Sequence, residues 1–199
     1  AMERYRFSDA TAIILAGGKS SRMGGSDKSM LSIKGVPMIE HIARQLEDMF
    51  GEVIIGASDT SKYGFLGLRV VPDSHPGMGP LAGISSCLSV SPHVLNFITA
   101  CDIPEINGEF IDRLFKASHG ADIVAPVSPD GKYEPLHALY RRSVALIAEE
   151  LLGGGKRKVS DLFEKANTAY IRFSGEEWYH NINSIDDYLS YIRENHMGD

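Results

Sequence analysis

Glycines and cations are concentrated in one short stretch, residues 16–28, which reads AGGKSSRMGGSDK. This stretch directly follows the apolar run TAIIL at residues 11–15, which predicts a short buried strand. Glycines let backbone N–H groups approach an anion closely, and Lys19, Arg22 and Lys28 would neutralise its charge. A strand that delivers such a loop to the edge of a sheet is typical of a phosphate-binding site in an α/β protein.

The spacing of this loop excludes two common phosphate-binding motifs. A Walker A loop needs a glycine five residues before its Gly-Lys-Ser end, and Ile13 occupies that position relative to Gly18. The pattern G-x-G-x-x-G is also absent, which argues against an oxidoreductase built on a Rossmann-like sheet. A plain surface connector is the remaining alternative, but three cations and four glycines within thirteen residues are too concentrated for it.

A second candidate is an aspartate at the point where a predicted central strand must end. Residues 94–100 form the strand, and Pro104 lacks the N–H that a sheet ladder needs, so the strand stops close to Asp102. In a parallel sheet this carboxylate reaches the edge that carries the glycine-rich loop. Mg²⁺ is usually held by one or two carboxylates together with substrate phosphates. Asp102 is therefore a candidate magnesium ligand, with a solvated aspartate or a helix cap as the alternative.

A third candidate is the segment DSHPGMGPLAG at residues 73–83, which leads into a predicted helix. The Gly79-Pro80 pair fixes a rigid backbone, whose free N–H and C=O groups can read the edge of a nucleotide base. A plain turn before the helix is the alternative interpretation of this segment.

Residues 15–28 resemble the signature of the molybdenum cofactor guanylyltransferases, Leu-Ala-Gly-Gly-x-Ser/Ala-x-Arg-Met-Gly-x-x-Asp-Lys, without a gap. The resemblance extends from about residue 12 to residue 187. It implies transfer of GMP from GTP to the terminal phosphate of molybdopterin, or of its molybdenum-loaded form, with release of pyrophosphate and with Mg²⁺ as cofactor. A phosphate monoester has a second pKa near ~6, so the acceptor is already ionised and no general base is required.

The resemblance also implies roles for individual residues. Lys28, Arg22 and Asp102 are the predicted catalytic residues, and Asp102 is the predicted metal ligand. Lys28 would stabilise charge near the α-phosphate, while Arg22 and the amides of the first loop hold the pyrophosphate side. The predicted nucleotide-binding residues are Leu15, Ala16, Gly17, Gly18, Lys28, Ser58, Asp73, Gly79, Pro80, Leu81 and Asp102. Ser58 replaces an asparagine that is common in the family, which bears on base specificity.

Later segments supply a predicted acceptor site. The Asn-x-Asn segment follows the last predicted strand, and a basic triplet follows three glycines. The predicted acceptor-binding residues are Asn181, Asn183, Lys156, Arg157, Lys158 and His137. As alternatives, the asparagines cap the last helix, in competition with Ser184, and the basic triplet is only a solvated helix end.

The elements that must position these residues alternate along the chain. Strands are predicted at residues 11–15, 53–57, 68–71, 94–100, 122–126, 136–140 and 169–173. Helices are predicted from Pro37, over residues 80–88, around residues 110–115, over residues 143–152, in a short segment before the last strand, and from Ser184. This alternation predicts a three-layer α/β/α Rossmann-like fold with a mostly parallel sheet. The resemblance implies the nucleotide-diphospho-sugar transferase-like version of it.

Composition and length agree with one soluble domain. The chain has 199 residues, of which 43% are hydrophobic, enough for one sizeable core without disulfides. We expect a single nucleotidyltransferase domain over residues 1–199, with residues 1–10 disordered and Ala1 derived from a tag. The formal net charge of −6 disfavours nucleic-acid binding. No apolar run approaches the ~20 residues of a membrane span.

Cellular context and partners complete the expectations. The N-terminal residues lack the apolar stretch of a signal peptide, and Cys87 and Cys101 lie in apolar runs typical of reduced cysteines. We therefore expect a cytoplasmic enzyme that uses GTP and molybdopterin and makes transient contact with molybdenum-cofactor delivery proteins, without nucleic-acid or membrane partners. The alternatives are a cytidylyltransferase for molybdopterin, a nucleotidyltransferase acting on a sugar, isoprenoid or other small phosphate, and a non-catalytic nucleotide-binding regulatory module.

Overall fold

The computed structural model describes residues 6–17, 22–23, 25–174, 176 and 178–196, with only the backbone of Arg22, Met23 and His196. Its strands are β1 (Phe7–Leu15), β2 (Arg22–Met23), β3 (Ser26–Asp27), β4 (Ser32–Ile33), β5 (Val36–Pro37), β6 (Phe50–Gly56), β7 (Arg69–Val71), β8 (Leu95–Ala100), β9 (Ile123–Val127), β10 (His137–Arg141) and β11 (Thr168–Arg172). Its α-helices are α1 (Met38–Glu47), α2 (Pro80–Val90), α3 (Gly108–Ala117), α4 (Val144–Gly153), α5 (Asp161–Lys165) and α6 (Ile185–His196). Two 3₁₀ helices cover Lys28–Met30 and Thr60–Leu66.

A seven-stranded sheet organises these elements in the order β11-β9-β10-β8-β1-β6-β7. All neighbouring pairs are parallel except the two that involve β10, which runs antiparallel to both β8 and β9. The predicted fold class, a mostly parallel α/β sheet, is confirmed. Two small hairpins, β2-β3 and β4-β5, lie outside the main sheet and were not predicted from the sequence.

The helices cover both faces of the sheet. One buried cluster joins the sheet to α1 and α3, and a second joins its opposite face to α2, α4 and α5. In β1 the side chains of Ala12 and Ile14 enter the first cluster, and Ile13 enters the second. A strand buried on both faces is apolar at successive positions, which explains the continuous apolar run in the sequence. Among the described residues, no helix combines the length and the apolar character needed to cross a membrane.

Element boundaries agree with the sequence predictions to within a few residues, with two corrections at the N-terminal side. Because β1 begins at Phe7, residues 7–10 belong to the sheet, and their predicted disorder is wrong; residues 1–5 lie outside the described residues. Pro37 does not open the first helix: with φ −56° and ψ 143° it ends β5, and the helix begins at Met38. The turn before it uses Lys34 and Gly35 at positive φ, a geometry that closes a tight hairpin.

The strand register brings the predicted site residues to one edge of the sheet. Leu15 at the end of β1 pairs with Gly56 of β6 and with Ala100 of β8, so the loops after all three strands leave at the same level. The loops after β9 and β11 leave at this edge as well, and β10 begins there because it is antiparallel. This is the carboxyl edge, where open α/β sheets bind their ligands.

Candidate active site

The first loop turns away from the sheet immediately after β1. The Ala16 N–H donates to the carbonyl of Gly56 at 2.8 Å, and Gly17 then takes a φ of 97°, which favours glycine. Gly18 lies outside the described residues, and so does the side chain of Arg22. The backbone of Arg22 pairs with Asp27 in the β2-β3 hairpin, which returns the chain to the sheet edge just before Lys28.

Hydrogen bonds of the neighbouring residues fix the backbone at Lys28. Asp27 Oδ1 accepts hydrogen bonds from the Ser29 N–H at 2.9 Å and from Ser29 Oγ at 2.7 Å, which caps the short 3₁₀ helix that Lys28 begins. Ser29 Oγ also lies 3.0 Å from Tyr63 Oη, and Lys62 forms an ion pair with Asp27. The Lys28 side chain is only 6% exposed. A buried lysine between fixed neighbours has little freedom, so its ammonium is positioned before any ligand arrives.

Asp102 faces Lys28 across this edge. The Asp102 carbonyl accepts from the Ile182 N–H at 2.7 Å, and its carboxylate Oδ1 is buried without a hydrogen-bond partner among the described residues. Burial raises the pKa of the Asp102 carboxyl, and the Lys28 ammonium opposes that rise. The two side chains are therefore electrostatically coupled, and the carboxylate retains an unsatisfied oxygen that favours a cation.

Cys101, directly before Asp102, is not a nucleophile candidate in this environment. It is 6% exposed, and burial raises the pKa of its thiol to about 12, with the charge of Asp102 acting in the same direction. A thiol with such a pKa is protonated at neutral pH and unreactive. Cys101 is therefore a packing residue of the core.

A second set of polar side chains adjoins Asp102 from the β10 side. Tyr179 Oη donates to the Glu134 carboxylate and also hydrogen bonds to the side chain of Asn181. Burial raises the pKa of Glu134, and the charge of Asp102 raises it further, so the two carboxylates lie near each other. Tyr179 was not predicted from the sequence, because no local spacing connects it with a partner that precedes it by 45 residues.

The oxygen atoms at this point suit a hard divalent cation. Asn181 Oδ1, like Asp102 Oδ1, is buried without a hydrogen-bond partner within the described part of the chain. No group of three or more His, Cys, Asp or Glu side chains that could enclose a metal ion occurs among the described residues. Magnesium is commonly bound by one or two protein oxygens plus substrate phosphates. The residues present therefore fit a metal ion that arrives together with a phosphorylated substrate.

The segment after β7 forms one wall of the same edge. Asp73 Oδ1 accepts from the His75 N–H at 2.9 Å, and Gly79 takes a φ of 77° just before Pro80, the first residue of α2. No side-chain hydrogen bond from the described residues caps the N-terminus of α2, where Pro80 has no N–H and the Ala82 N–H donates to the Gly79 carbonyl at 3.1 Å. Leu81 is fully buried, so it contributes packing and backbone rather than an exposed side chain.

Glycine permits α2 to approach the end of β1 closely. A Cβ atom at Gly56 would lie 2.7 Å from Cys87 Sγ and 2.9 Å from Leu15 Cδ2. A Cβ atom at Gly83 would lie 3.1 Å from the same Leu15 atom. The Leu15 side chain is thus fixed between β6 and α2. Ser58 is exposed just beyond β6, at the same edge.

Side-chain hydrogen bonds connect the segment of residues 73–79 to α2 and α4. Ser74 Oγ lies 2.8 Å from Ser86 Oγ of α2, and His75 Nε2 lies 2.9 Å from Glu149 Oε2 of α4. Ser85 Oγ of α2 donates to the other oxygen of Glu149. Glu149 therefore connects this segment to two helices, although it lies far from it in the sequence and was not predicted as a site residue.

We expect Glu149→Ala to raise the KM for the nucleotide about fivefold, the equivalent of one net hydrogen bond of about 1 kcal/mol, with little change in kcat. The reason is that the segment at residues 73–79 loses its connection to α4. Steady-state kinetics at varied concentrations of the nucleotide measures the effect. Glu149→Gln, which keeps an acceptor for Ser85, should recover part of it, and Glu150→Ala, which removes an exposed partner of Lys165, should have none. Equal kinetics in the two alanine variants would contradict this role.

The helix-cap interpretation of the two asparagines is wrong. Ser184 N–H donates to Asp187 Oδ2 at 2.8 Å, and the Asp187 N–H donates back to Ser184 Oγ at 3.1 Å. This reciprocal pair caps α6, so the side chains of Asn181 and Asn183 are not needed for it. Asn183 is exposed and contributes only its N–H, which donates to Asp187 at 3.0 Å.

His137 is buried and packs against aromatic side chains. It is 1% exposed, its ring stacks at 5.8 Å from Phe110 and 5.7 Å from Trp178, and its Nδ1 lies 3.0 Å from Thr99 Oγ1. Burial lowers the pKa of His137 to about 3, so the ring is neutral. His137 Nε2 is buried without a hydrogen-bond partner among the described residues, and the contact between His137 and an acceptor stays a prediction.

The basic triplet lies at a separate part of the edge from Lys28 and Asp102. Lys156, Arg157 and Lys158 are exposed, and the last two line a cleft of about 550 Å³ together with Pro80. The structure thus brings Lys28, Asp102 and Asn181 into one group, with the basic triplet beside the segment that precedes α2.

The sequence of this chain matches a known protein family. Residues 12–169 match the model of the MobA-like NTP transferase domain. The chain belongs to this family. A curated relative in Carboxydothermus hydrogenoformans, named probable molybdenum cofactor guanylyltransferase, is 36% identical over 190 residues that cover 92% of this chain and 95% of the relative. A molybdenum cofactor guanylyltransferase of Serratia proteamaculans is 32% identical over 94% of this chain and 95% of its own length.

Solved structures of MobA-like and related proteins share the fold. Molybdopterin-guanine dinucleotide biosynthesis protein A from Archaeoglobus fulgidus superposes with a TM-score of 0.78 at 25% identity, covering 95% of this chain and 100% of that one. The 2-C-methyl-D-erythritol 4-phosphate cytidylyltransferase of Thermus thermophilus gives a TM-score of 0.70 at 15% identity, with 93% of this chain and 98% of that chain covered. At that identity the second likeness concerns the fold alone.

Proposed function

We propose that this protein transfers GMP from GTP to the terminal phosphate of molybdopterin, or of molybdenum-loaded molybdopterin, and releases pyrophosphate. The observation that carries the proposal is the coupling of buried Lys28 to the unsatisfied carboxylate of Asp102, at the sheet edge of a MobA-like chain. The names of the curated relatives supply the substrates.

The chemistry requires alignment and charge neutralisation more than proton transfer. An oxygen of the acceptor phosphate attacks the α-phosphorus of GTP, and the bond from that phosphorus to the bridging oxygen breaks as pyrophosphate leaves with the electron pair. The attacking oxygen is already ionised, so no base has to remove a proton. In this scheme Lys28 stabilises charge near the α-phosphate, and Arg22 with the Gly17 and Gly18 amides holds the pyrophosphate side.

We assign Asp102 and Asn181 as the residues that would hold Mg²⁺, because each carries a buried oxygen without a partner in the described residues. A bound Mg²⁺ would supply positive charge against the substrate phosphates. Asn183 and the basic residues Lys156, Arg157 and Lys158 remain the proposed acceptor contacts.

We assign base recognition to the wall formed by Asp73, Gly79, Pro80 and Leu81, together with Leu15 and Ala16 at the end of β1 and Ser58 beyond β6. The support is the uncapped N-terminus of α2 and the rigid Gly-Pro backbone, which present donors and acceptors to a base edge. Since Ser58 stands where the family commonly has asparagine, base choice is the point that most needs an experiment.

The decisive experiment is a competition among GTP, CTP and ATP with molybdopterin as acceptor, read as the dinucleotide product. We expect the guanine product to dominate. A dominant cytosine product would make the protein a molybdopterin cytidylyltransferase, and no product together with transfer to a sugar or isoprenoid phosphate would assign it to that transferase class. Nucleotide binding without pyrophosphate release would instead favour a regulatory module.

We further propose that the reaction takes place in the cytoplasm and that cofactor-delivery proteins bring the acceptor in transient complexes. Cys87 and Cys101 are both buried free thiols, consistent with a reducing compartment. Co-purification of a delivery protein with the acceptor-loaded enzyme tests the second part.

A further inference from the structure

A cleft at the carboxyl edge adjoins the wall assigned to base recognition, and the two share Pro80. Its volume is about 550 Å³, and three segments form it: the start of α2 at Pro80, the turn after β9 at residues 131–136, and the chain at residues 157–160. Two cationic side chains, Arg157 and Lys158, line one wall. Tyr133 also lines this cleft and is 49% exposed.

Tyr133 is supported from behind by other aromatic rings. It stacks on Tyr170 with ring centroids 5.3 Å apart and an interplanar angle of 28°. Phe163 meets it edge-on at 5.6 Å. Tyr170 and Phe163 also contact each other, at 6.3 Å, so three rings brace one another. An aromatic ring fixed on one side and exposed on the other is a stacking surface for a flat heterocycle.

The turn that carries Tyr133 is rigid before any ligand binds. Tyr133 forms a β-bridge with Val127 at the end of β9. The Ser128 N–H donates to the Lys132 carbonyl at 2.8 Å, and the Lys132 N–H donates to Ser128 Oγ at 3.2 Å. Asp130 engages the Lys132 ammonium at 3.0 Å, so this cation is partly committed within the turn. Little conformational entropy remains to be lost when a ligand stacks on Tyr133.

The order of the strands argues that the second substrate, rather than the nucleotide, uses this surface. The nucleotide loops follow β1, β6 and β7, on one flank of Asp102. Tyr133, in the turn after β9, and Tyr170 of β11 lie on the other flank. The charge of Asp102 contributes to the raised pKa of Glu134, the residue after Tyr133 in the chain. Glu134 also accepts a hydrogen bond from Tyr179 of the polar site, so the turn that carries Tyr133 adjoins that site. Two substrates approaching Asp102 from opposite flanks would meet there.

We propose that Tyr133, braced by Tyr170 and Phe163, stacks against the pterin ring of the acceptor while its phosphate reaches toward Asp102. This inference rests on the proposed function, which supplies a pterin as the second substrate. The pyrimidinone ring of the pterin is flat and conjugated. Arg157 and Lys158, which line the same cleft, complement its carbonyl oxygen and the negative charge of the dithiolene. Tyr133 thereby selects an aromatic acceptor over a sugar phosphate.

The test compares Tyr133→Ala and Tyr133→Phe with Leu146→Ala, which truncates a side chain that is 77% exposed on α4 outside this cleft. We expect Tyr133→Ala to raise the KM for molybdopterin about tenfold or more, from the loss of one stacked ring, with the KM for GTP and kcat near those of the parent protein. Tyr133→Phe keeps the ring and should keep the parent KM, as should Leu146→Ala. An unchanged KM for molybdopterin in Tyr133→Ala, or an increase confined to the KM for GTP, overturns the proposal.

Calorimetric titration of molybdopterin without nucleotide separates this inference from the proposed function. If molybdopterin binds the parent protein about tenfold more tightly than Tyr133→Ala, the stacking surface is supported, even where GMP transfer is absent. Absence of GMP transfer would contradict only the proposed function. Equal affinity of the two proteins, or no binding to the parent protein, overturns the stacking surface. Tyr133 is half exposed, and thermal unfolding of each variant checks that its fold is retained.

Discussion

Asp102→Asn is expected to lower the turnover of GMP transfer on the order of a hundredfold or more, while making the folded protein more stable at neutral pH. Asparagine keeps the size of the side chain and removes its charge, so the proposed magnesium ligand and the partner of Lys28 are both lost. The carboxylate oxygen Oδ1 is buried without a partner among the described residues, so its charge destabilises the empty protein. Activity and stability thus change in opposite directions.

The pH dependence of the free energy of unfolding is a second test of this expected stabilisation. Burial raises the pKa of Asp102 above its value in the unfolded chain, and Lys28 only partly opposes this. A group with a raised folded pKa contributes stability that is fully present below its unfolded pKa and is lost as pH rises through the folded pKa. We therefore expect the stability gain of Asp102→Asn over the parent to be largest near neutral pH and to vanish below about pH 4.

Urea unfolding across this pH range, together with steady-state kinetics, measures both effects. Asp112→Asn is the matched control, since Asp112 carries a surface ion pair with Lys116 on α3, away from the carboxyl edge. The control should leave turnover unchanged. Parent-like turnover in Asp102→Asn would remove Asp102 from the catalytic assignment.

Lys28→Ala is expected to lower turnover on the order of a hundredfold, because a preorganised charge of this kind is worth about 3 kcal/mol of barrier. The same change removes the cation that opposes the pKa rise of Asp102. The Asp102 pKa should then rise further, and the variant should lose more stability between about pH 4 and about pH 7 than the parent does. Kinetics and urea unfolding measure the two effects.

Lys116→Ala controls for the loss of a lysine that is exposed and paired with Asp112. The double variant of Lys28→Ala with Asp102→Asn separates coupling from independent roles. If the two residues act on the same phosphate charge, the double variant should be little slower than the worse single one. If the rate losses of the two single variants multiply in the double variant, Lys28 and Asp102 act on different parts of the substrates.

Much of this site could be predicted from local sequence alone. The apolar run before Ala16 and the glycines after it specify a buried strand followed by a loop, because side-chain periodicity and glycine geometry act over a few residues. Pro104 cannot join a sheet ladder, which places Asp102 at a strand end. Since parallel strands share one carboxyl edge, these two local predictions already imply that Lys28 and Asp102 meet.

Other features depend on which strands become neighbours, and only the tertiary structure decides that. Strand β10 enters the sheet antiparallel between β8 and β9, and this insertion brings Glu134 and Tyr179 beside Asp102. The stacking of Tyr133 on Tyr170 likewise requires β11 to pair with β9. Local periodicity predicts that these strands exist but carries no information on their order.

The sequence by itself determined the chemistry available here: a loop of glycines and cations, a strand-end carboxylate and a Gly-Pro wall. The tertiary structure decided how those groups are tuned. Burial left one oxygen of Asp102 and one of Asn181 without a partner among the described residues, and it enclosed His137 among aromatic rings. Desolvation is set by every element that packs against a side chain, and those elements come from distant parts of the chain.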